Sequence, residues 1–215
     1  MYLENLTEQQ YTLNPIVNPI VEIPNNHSNL QSDFEYINEL AQVSTTVKLQ
    51  KNPNSGQLLL SLSYQISPNT ISPNNKINLA KFDKNLVKPT DFLWQQTCLE
   101  CFIQIDRQQY FEINASPNGA YALYHFDDYR TPSHLPPRQT QALGFFWQNT
   151  TKPTAATKSE TFAFLLALPT DLLPKKINPT AILYQTIRGE EHAVFYALNH
   201  ANPPDFHNKA FWLDF

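Results

Sequence analysis

The sequence predicts an all-β protein, a sandwich built from short antiparallel strands. About ten short runs of alternating, β-branched or aromatic residues are separated by turns rich in Pro and Asn. Aromatic residues make up 13% of the 215 residues, and Phe and Tyr are favoured in strands. Only residues 30–42 and 170–173 suit short helices. The pattern therefore leaves room for at most one or two helices in a single sandwich domain.

The first 42 residues are predicted to form an N-terminal extension that packs on a sandwich domain spanning residues 43–215. Residues 11–23 (YTLNPIVNPIVEI) look extended, but they contain Pro15 and Pro19. Proline lacks the N–H that a central strand needs and breaks regular helices. This segment is therefore expected to be an edge strand laid against the main body.

The domain itself begins with a hairpin, because two alternating runs, residues 43–50 and 58–66, flank the turn sequence KNPNSG. Further strands are predicted at residues 97–105, 110–115, 120–126, 143–148, 161–168, 180–187, 193–198 and 210–215.

Composition and charge limit the kinds of partner and the cellular compartment that we expect for this protein. The chain has 15 basic and 19 acidic residues, a net charge of -4, so it has no basic excess to neutralise the phosphates of a nucleic acid. The first ten residues lack the basic start and apolar run of a signal peptide, and the apolar stretches are too short to span a bilayer. A cytoplasmic protein without a membrane partner is expected; the oligomeric state stays open.

The central three strands carry a polar face, and the number of residues in each connecting loop decides which side chains lie on it. Side chains along a strand point alternately to opposite faces. A three-residue loop between the first two strands puts Glu100 opposite Asn114 and Phe102 opposite Glu112. Pairing across residues 116–119 is predicted to bring residues of the third strand to the same face. The predicted polar face comprises Glu100, Glu112, Asn114, Tyr121 and His125.

Two interpretations of this polar face stay open. It is either the solvated outer side of a sandwich or a ligand site, because carboxylates and an amide bind hydroxyls while an aromatic ring packs on the C–H faces of a sugar. The two carboxylates also allow a glycosidase, since diagonal neighbours on paired strands lie ~7–8 Å apart and glycosidase carboxyls lie ~5–9.5 Å apart.

Three segments resemble the DOMON-like proteins, which are related to carbohydrate-binding module family 9. Residues 93–102 (LWQQTCLECF) resemble the opening motif, residues 110–119 (YFEINASPNG) continue it, and residues 200–207 (HANPPDFH) look like the closing motif. The resemblance covers residues 43–215. It implies a two-sheet antiparallel sandwich of jelly-roll or immunoglobulin-like character, and binding of sugars or haem rather than catalysis. Trp94 joins the candidate ligand-binding residues as a stacking ring.

Cofactors and metals are not expected. Met1 is the only Met, which argues against ligation of haem by Met and His. Cys98 and Cys101 lie three residues apart on a strand, so they point to opposite faces and are predicted to be packing residues rather than metal ligands or a disulfide.

Arg130 is predicted to form a structural clamp. Its guanidinium could pair with Asp127, Asp128 or Asp205. The favoured interpretation is a clamp that joins the end of the central strands to the loop that carries Asp205 and His207.

The resulting functional prediction is a non-catalytic binding module for a carbohydrate or a sugar-containing metabolite. One alternative is a protein-interaction or accessory subunit without a small ligand. The other is a glycoside hydrolase that uses Glu100 and Glu112.

Overall fold

A computed structural model describes residues 3–17, 39–68, 75–148 and 159–215. In these residues the protein is nearly all β, with antiparallel strand pairs and three single-turn 3-10 helices. The all-β prediction is confirmed. Among the described residues no helix is long and apolar enough to cross a membrane.

The described residues contain twelve strands. Their bounds are β1 Glu4–Val17, β2 Gln42–Lys51, β3 Leu58–Ser67, β4 Lys76–Ile77, β5 Cys98–Gln104, β6 Tyr110–Ala115, β7 Tyr121–Phe126, β8 Gly144–Trp147, β9 Glu160–Leu168, β10 Lys176–Ile187, β11 Glu190–Ala197 and β12 Leu213–Asp214. The 3-10 helices are Lys84–Leu86, Leu93–Gln95 and Lys209–Phe211.

The strands form two layers that share β1. The first layer has the order β1-β2-β3-β9-β8, and the second has the order β1-β11-β10-β5-β6-β7. The short strands β4 and β12 each pair with one part of β10. Because β1 is continuous through both layers, the whole sheet curls into a half-barrel whose two walls face each other.

The shared strand β1 has a different partner in each layer. Its residues 4–13 pair with β2, and residues 14–17 pair with β11. Each part of β1 therefore has one neighbour among the described residues and lies at the edge of its layer, while the strand as a whole links the two layers. Pro15 is tolerated because it pairs with Tyr196 of β11 at a point where β1 has no second neighbour. β1 lies before the predicted boundary at residue 42, and residues 18–38 of the same extension lie outside the described residues.

Two apolar clusters hold the fold. The larger one lies between the layers, where side chains such as Leu60 and Leu62 of β3 meet Leu99 and Ile103 of β5, all with no exposed surface. The smaller one lies on the other side of the second layer, beneath the connecting loops. Its members include Cys98, Phe102, Tyr110, Tyr124, Phe126, Phe206 and Trp212. The second layer is thus buried on both faces, and its outer face is roofed by loops.

The strand predictions agree closely with the structure where alternation is strong. Residues 110–115 coincide with β6, and 43–50 and 58–66 lie within β2 and β3. At the end of the chain the prediction is wrong, because residues 210–215 contain the end of a 3-10 helix and only a two-residue strand. The predicted helix at 170–173 is a turn, and residues 30–38 of the other predicted helix lie outside the described residues.

Candidate ligand-binding cavity

A cavity of about 400 Å³ lies on the outer face of the second layer. Its floor contains Glu100 and Phe102 of β5 and Glu112 of β6. Its walls come from β7, from β10 and β11, and from three loops. The wall residues include Trp94, Phe126, Arg130, His134, Ile182, Phe195, Asp205, Phe206 and His207. This volume falls within the range of small-molecule sites, roughly 300–1,000 Å³.

The floor has the predicted register. Glu100 pairs with Asn114, and Phe102 pairs with Glu112. Leu99, Cys101 and Ile103 consequently face the core between the layers. The prediction that Cys98 and Cys101 point to opposite faces is also confirmed, because the two thiols are buried in different clusters.

The placement of Tyr121 and His125 on this face is wrong. β6 pairs with β7 so that Ala115 lies opposite Tyr121 and Phe111 lies opposite His125, which puts both residues on the face of the inter-layer core. Tyr121 stacks on Phe145 of β8 with ring centroids 4.3 Å apart. His125 Nδ1 lies 2.6 Å from the guanidinium of Arg138. The residues that stand beside Glu112 and Asn114 are instead Tyr124 and Ala122.

The error comes from one residue in the turn between β6 and β7. Ser116 N–H donates to the carbonyl of Ala120 (2.8 Å), so the loop proper is the three residues 117–119 rather than four. Gly119 N–H donates to the carbonyl of Ser116, and Gly119 has a φ of +112°, which closes a type I turn with a final glycine. The sequence Ser-Pro-Asn-Gly is the signal for this turn, since Pro favours its second position and Gly its fourth.

The carboxyl of Glu112 lies close to two polar side chains, Asn114 and His207. It is 5% exposed, and its Oε1 accepts a hydrogen bond of 2.8 Å from Nδ2 of Asn114. Its Oε2 lies 3.7 Å from Nε2 of His207. Burial raises the pKa of the Glu112 carboxyl above its usual range, and this effect exceeds the opposing hydrogen bond from Asn114.

Glu100 is still more deeply buried, at 3% exposed. Its Oε2 lies 3.5 Å from the hydroxyl of Thr180 on β10, and its backbone carbonyl accepts a hydrogen bond from the hydroxyl of Tyr64. Burial raises the pKa of Glu100 well above its usual range, and the neighbouring Glu112 carboxyl adds to the increase. The cavity floor therefore holds two carboxyls for which the neutral form is favoured.

His207 is held by a chain of hydrogen bonds behind the cavity wall. The backbone N–H of Arg130 donates to the Tyr110 hydroxyl (3.1 Å), which lies 2.7 Å from Nδ1 of His207. With the phenol as donor to Nδ1, the proton of the ring lies on Nε2, the nitrogen nearer Glu112. Burial lowers the pKa of His207 to about 3, so the imidazole is neutral at ordinary pH.

Of the three candidate partners of Arg130, the structure brings Asp205 to its guanidinium. Arg130 Nη2 lies 2.9 Å from Asp205 Oδ1, and the backbone N–H of His207 donates to the same oxygen at 3.1 Å. The Tyr129 hydroxyl donates to Oδ2 at 2.8 Å. Partial burial alone would raise the pKa of Asp205, but the hydrogen bonds from Tyr129 and Arg130 outweigh it and lower the pKa. The clamp joins the loop after β7 to the loop after β11 at the rim of the cavity.

Trp94, a candidate stacking ring, lies in the wall of the cavity. Its ring centroid is 6.0 Å from that of Tyr124 and 5.4 Å from that of Phe92, both with edge-to-face geometry. Opposite walls contain Phe206, whose ring centroid lies 6.4 Å from that of Phe102 and 5.8 Å from that of Phe195. The cavity thus has acidic groups at its floor and aromatic rings around its sides.

Sequence reasoning missed the contribution of β10. Thr180 lies opposite Glu100 and Asn178 lies opposite Phe102 because β10 pairs with β5, about 80 residues away in the chain. Asn178 Nδ2 donates to the carbonyl of Phe206 (3.1 Å). Its Oδ1, and the Oδ1 of Asn114, are buried and accept no hydrogen bond. No local signal marks these positions, since the pairing of β5 with β10 is a long-range contact.

In the described part of the chain, no group of three or more His, Cys, Asp or Glu side chains is arranged to hold a metal ion.

Comparisons with known proteins identify no family. No protein-family model matches the chain, and no curated protein matches it in sequence. Among solved structures, the chain is similar to a protein of Bacteroides uniformis ATCC 8492 that is proposed to bind carbohydrate. The two share 13% sequence identity over 95% of this chain and 84% of that chain, with a TM-score of 0.41. The resemblance to DOMON-like proteins stays a prediction.

Proposed function

We propose that this protein is a non-catalytic binding module whose cavity takes a carbohydrate or a sugar-containing metabolite. The observation that carries the proposal is the composition of the cavity, in which two carboxyls at the floor are surrounded by aromatic walls. A sugar ring presents hydroxyls around its edge and C–H groups on its faces, so it needs polar groups and aromatic surfaces together. The motifs of residues 93–102, 110–119 and 200–207, which resemble those of DOMON-like proteins, support the same function.

Calorimetric titration of the protein with simple mono- and disaccharides tests this function. A ligand at 100 times its dissociation constant stabilises the fold by ~2.7 kcal/mol, which corresponds to an increase in melting temperature of roughly 5–11 °C for a domain of this size. Trp94→Ala should weaken binding about tenfold or more, because it removes one aromatic wall.

Tyr121→Phe is the matched control, since Tyr121 belongs to the predicted polar face but lies on the other side of the sheet. It should leave affinity unchanged. Failure of every sugar to bind, or equal losses in the two variants, would contradict the proposal.

A glycoside hydrolase is the second candidate, favoured by one observation. Glu100 and Glu112 reach the same cavity, and burial raises the pKa of both carboxyls, as general acids of glycosidases require. Chromogenic aryl glycosides distinguish the two functions. A binding module releases no phenol, whereas a hydrolase does so at a rate that Glu100→Gln and Glu112→Gln both abolish.

A further inference from the structure

The two acidic side chains of the cavity floor have no cationic side chain beside them in the described part of the chain. Arg130 lines the cavity, but its guanidinium is matched by Asp205 at 2.9 Å. Within the described ranges, the one basic nitrogen within 4 Å of either floor carboxyl belongs to His207, which is a neutral imidazole. Among the described residues, no Lys or Arg nitrogen therefore lies within 4 Å of the Glu100 or Glu112 carboxyl, although the more distant charge of Arg130 lowers the pKa of Glu112.

The hydrogen-bond partners of the two carboxyls are neutral as well. Glu100 contacts the Thr180 hydroxyl and the Cys98 thiol, and Glu112 contacts the Asn114 amide. The same face of the sheet also carries two buried amide oxygens, Asn114 Oδ1 and Asn178 Oδ1, that accept no hydrogen bond. Once Glu100 and Glu112 give up their protons, their carboxylates offer acceptors to a ligand in the cavity.

The walls suit a cation too. Trp94, Phe126, Phe195 and Phe206 line the cavity above the carboxyls, and an ammonium group is attracted to the faces of aromatic rings. An ammonium group also brings three N–H donors and no acceptor, which is the complement of this floor.

We propose that the sugar bound in this cavity is an amino sugar, with its protonated amino group held between the carboxyls of Glu100 and Glu112. The inference rests on the proposed function, because it names the class of sugar that the same site takes. The ring of the sugar lies against Trp94 and Phe206, and its hydroxyls reach the Arg130 guanidinium and Nε2–H of His207 at the rim.

Charge compensation gives the selectivity. Ionising a buried carboxyl is unfavourable without a partner, but it becomes favourable when a cation is desolvated beside it. A neutral sugar supplies no such partner. Other titratable or charged groups packed near the two carboxyls are Tyr64, Cys98, Tyr110, Tyr124, Arg130 and His207. Of these, only Arg130 carries a charge at neutral pH; it pairs with Asp205, and its charge opposes the effect of burial on Glu112 only in part. An ammonium ligand therefore displaces protons from the floor when it binds.

The test is isothermal titration calorimetry of the full chain with three probes: D-glucosamine, N-acetyl-D-glucosamine and D-glucose. Titrations near pH 6.5 in two buffers of different ionisation enthalpy count the protons released. D-Glucosamine should bind at least tenfold more tightly than either neutral sugar and should release protons on binding. Glu100→Gln should abolish this preference, so that D-glucosamine binds no more tightly than D-glucose. Glu112→Gln provides a second variant, and Glu8→Gln on β1, half-exposed and in the first layer, is the matched charge control.

Each remaining outcome counts against the inference. Equal affinities for the three probes would overturn it while the proposed sugar-binding function survives. A preference that persists in both Glu100→Gln and Glu112→Gln would place the cation elsewhere and would also overturn it. If none of the three sugars binds, the proposed function falls and the inference falls with it.

Discussion

At the scale of single residues, burial makes Glu100 and Glu112 behave unlike ordinary surface carboxylates. A carboxylate whose folded-state pKa is lowered contributes stability above its unfolded pKa. Here the folded-state pKa is raised in both residues, so the folded protein binds protons more tightly than the unfolded chain. The stabilisation from these two protonated carboxyls is fully present below the pKa of an unfolded glutamate, about 4.5. It is lost as the pH rises through the pKa of each carboxyl in the folded protein.

Glu100→Gln should therefore stabilise the protein at alkaline pH. Glutamine keeps the shape of a protonated glutamate but cannot ionise, so the variant should resemble wild type near pH 4.5 and exceed it in stability at pH 8. Urea unfolding at the two pH values measures the difference. Glu8→Gln, which removes a half-exposed carboxylate, should show no such crossover. A variant that is less stable than wild type at pH 8 would show that Glu100 is ionised and paired in the fold.

At the scale of elements, the turn between β6 and β7 fixes which side chains reach the cavity. Gly119 has a φ of +112°, and a Cβ there would lie 2.9 Å from the backbone carbonyl oxygen of Asp83. Gly119→Ala thus combines backbone strain of ~1–3 kcal/mol with a steric clash against backbone. The melting temperature should fall by several degrees, since ~1 kcal/mol corresponds to ~2–4 °C in a domain of this size.

Gly189→Ala is the matched control for this substitution. Gly189 also has a positive φ, +92°, but a Cβ there would meet nothing within 4 Å. Gly189→Ala should lower the free energy of unfolding only through backbone strain, so the melting temperature of this variant should lie above that of Gly119→Ala. Equal losses in scanning calorimetry would mean that the contact with Asp83 has no energetic weight.

The ion pair between Arg130 and Asp205 at the rim of the cavity should affect the two loops that it joins more than the whole fold. The Arg130 side chain is half-exposed, so solvent screening limits the Arg130–Asp205 pair to ~1 kcal/mol or less. Asp205→Asn should lower the melting temperature by no more than ~2–4 °C. Amide exchange around residues 203–207 should nevertheless accelerate, because the His207 N–H and the Tyr129 hydroxyl share the same carboxylate.

Asp214→Asn is the control for the clamp, because Asp214 is almost fully exposed and lies 3.6 Å from Lys176. Neither its melting temperature nor the exchange of the loop should differ from wild type. Unchanged exchange in Asp205→Asn would show that the loop is held by Phe206 and its apolar neighbours instead.

The same elements show where sequence reasoning succeeds. The register of β5 and β6 could be predicted because both strands alternate and a shift by one residue would bury the wrong set of side chains. The position of Tyr121 and His125 could not be predicted by alternation alone, since the strand reads nearly as well on either face. The register of β7 against β6 depends instead on the turn that ends at Gly119.

At the scale of the whole molecule, the unpredicted features are those that join distant parts of the chain. Thr180 and Asn178 lie beside the cavity-floor residues Glu100 and Phe102 because β10 pairs with β5, and β1 joins the layers because it pairs with both β2 and β11. Alternation identifies strands and their buried faces but carries no information about which strands become neighbours. Of the cavity walls, the sequence indicates Trp94, Arg130, Asp205 and His207, whereas Ile182 of β10 and Phe195 of β11 could not be predicted for the same reason.

The role of β1 supplies the last prediction. Leu13 stands where the strand passes from the first layer to the second, and it is 2% exposed within the core between them. Leu13→Ala should destabilise the entire fold by ~2–5 kcal/mol, the usual cost of deleting a buried leucine side chain. Leu6→Ala on the same strand should change stability by no more than ~0.5 kcal/mol, because Leu6 is 44% exposed.

Urea unfolding followed by tryptophan fluorescence reports on the layers rather than on β1, since all three tryptophans lie outside β1. An unfolding midpoint that Leu13→Ala leaves unchanged, with faster amide exchange confined to residues 4–17, would mean that β1 is a detachable extension and that the two layers close without it.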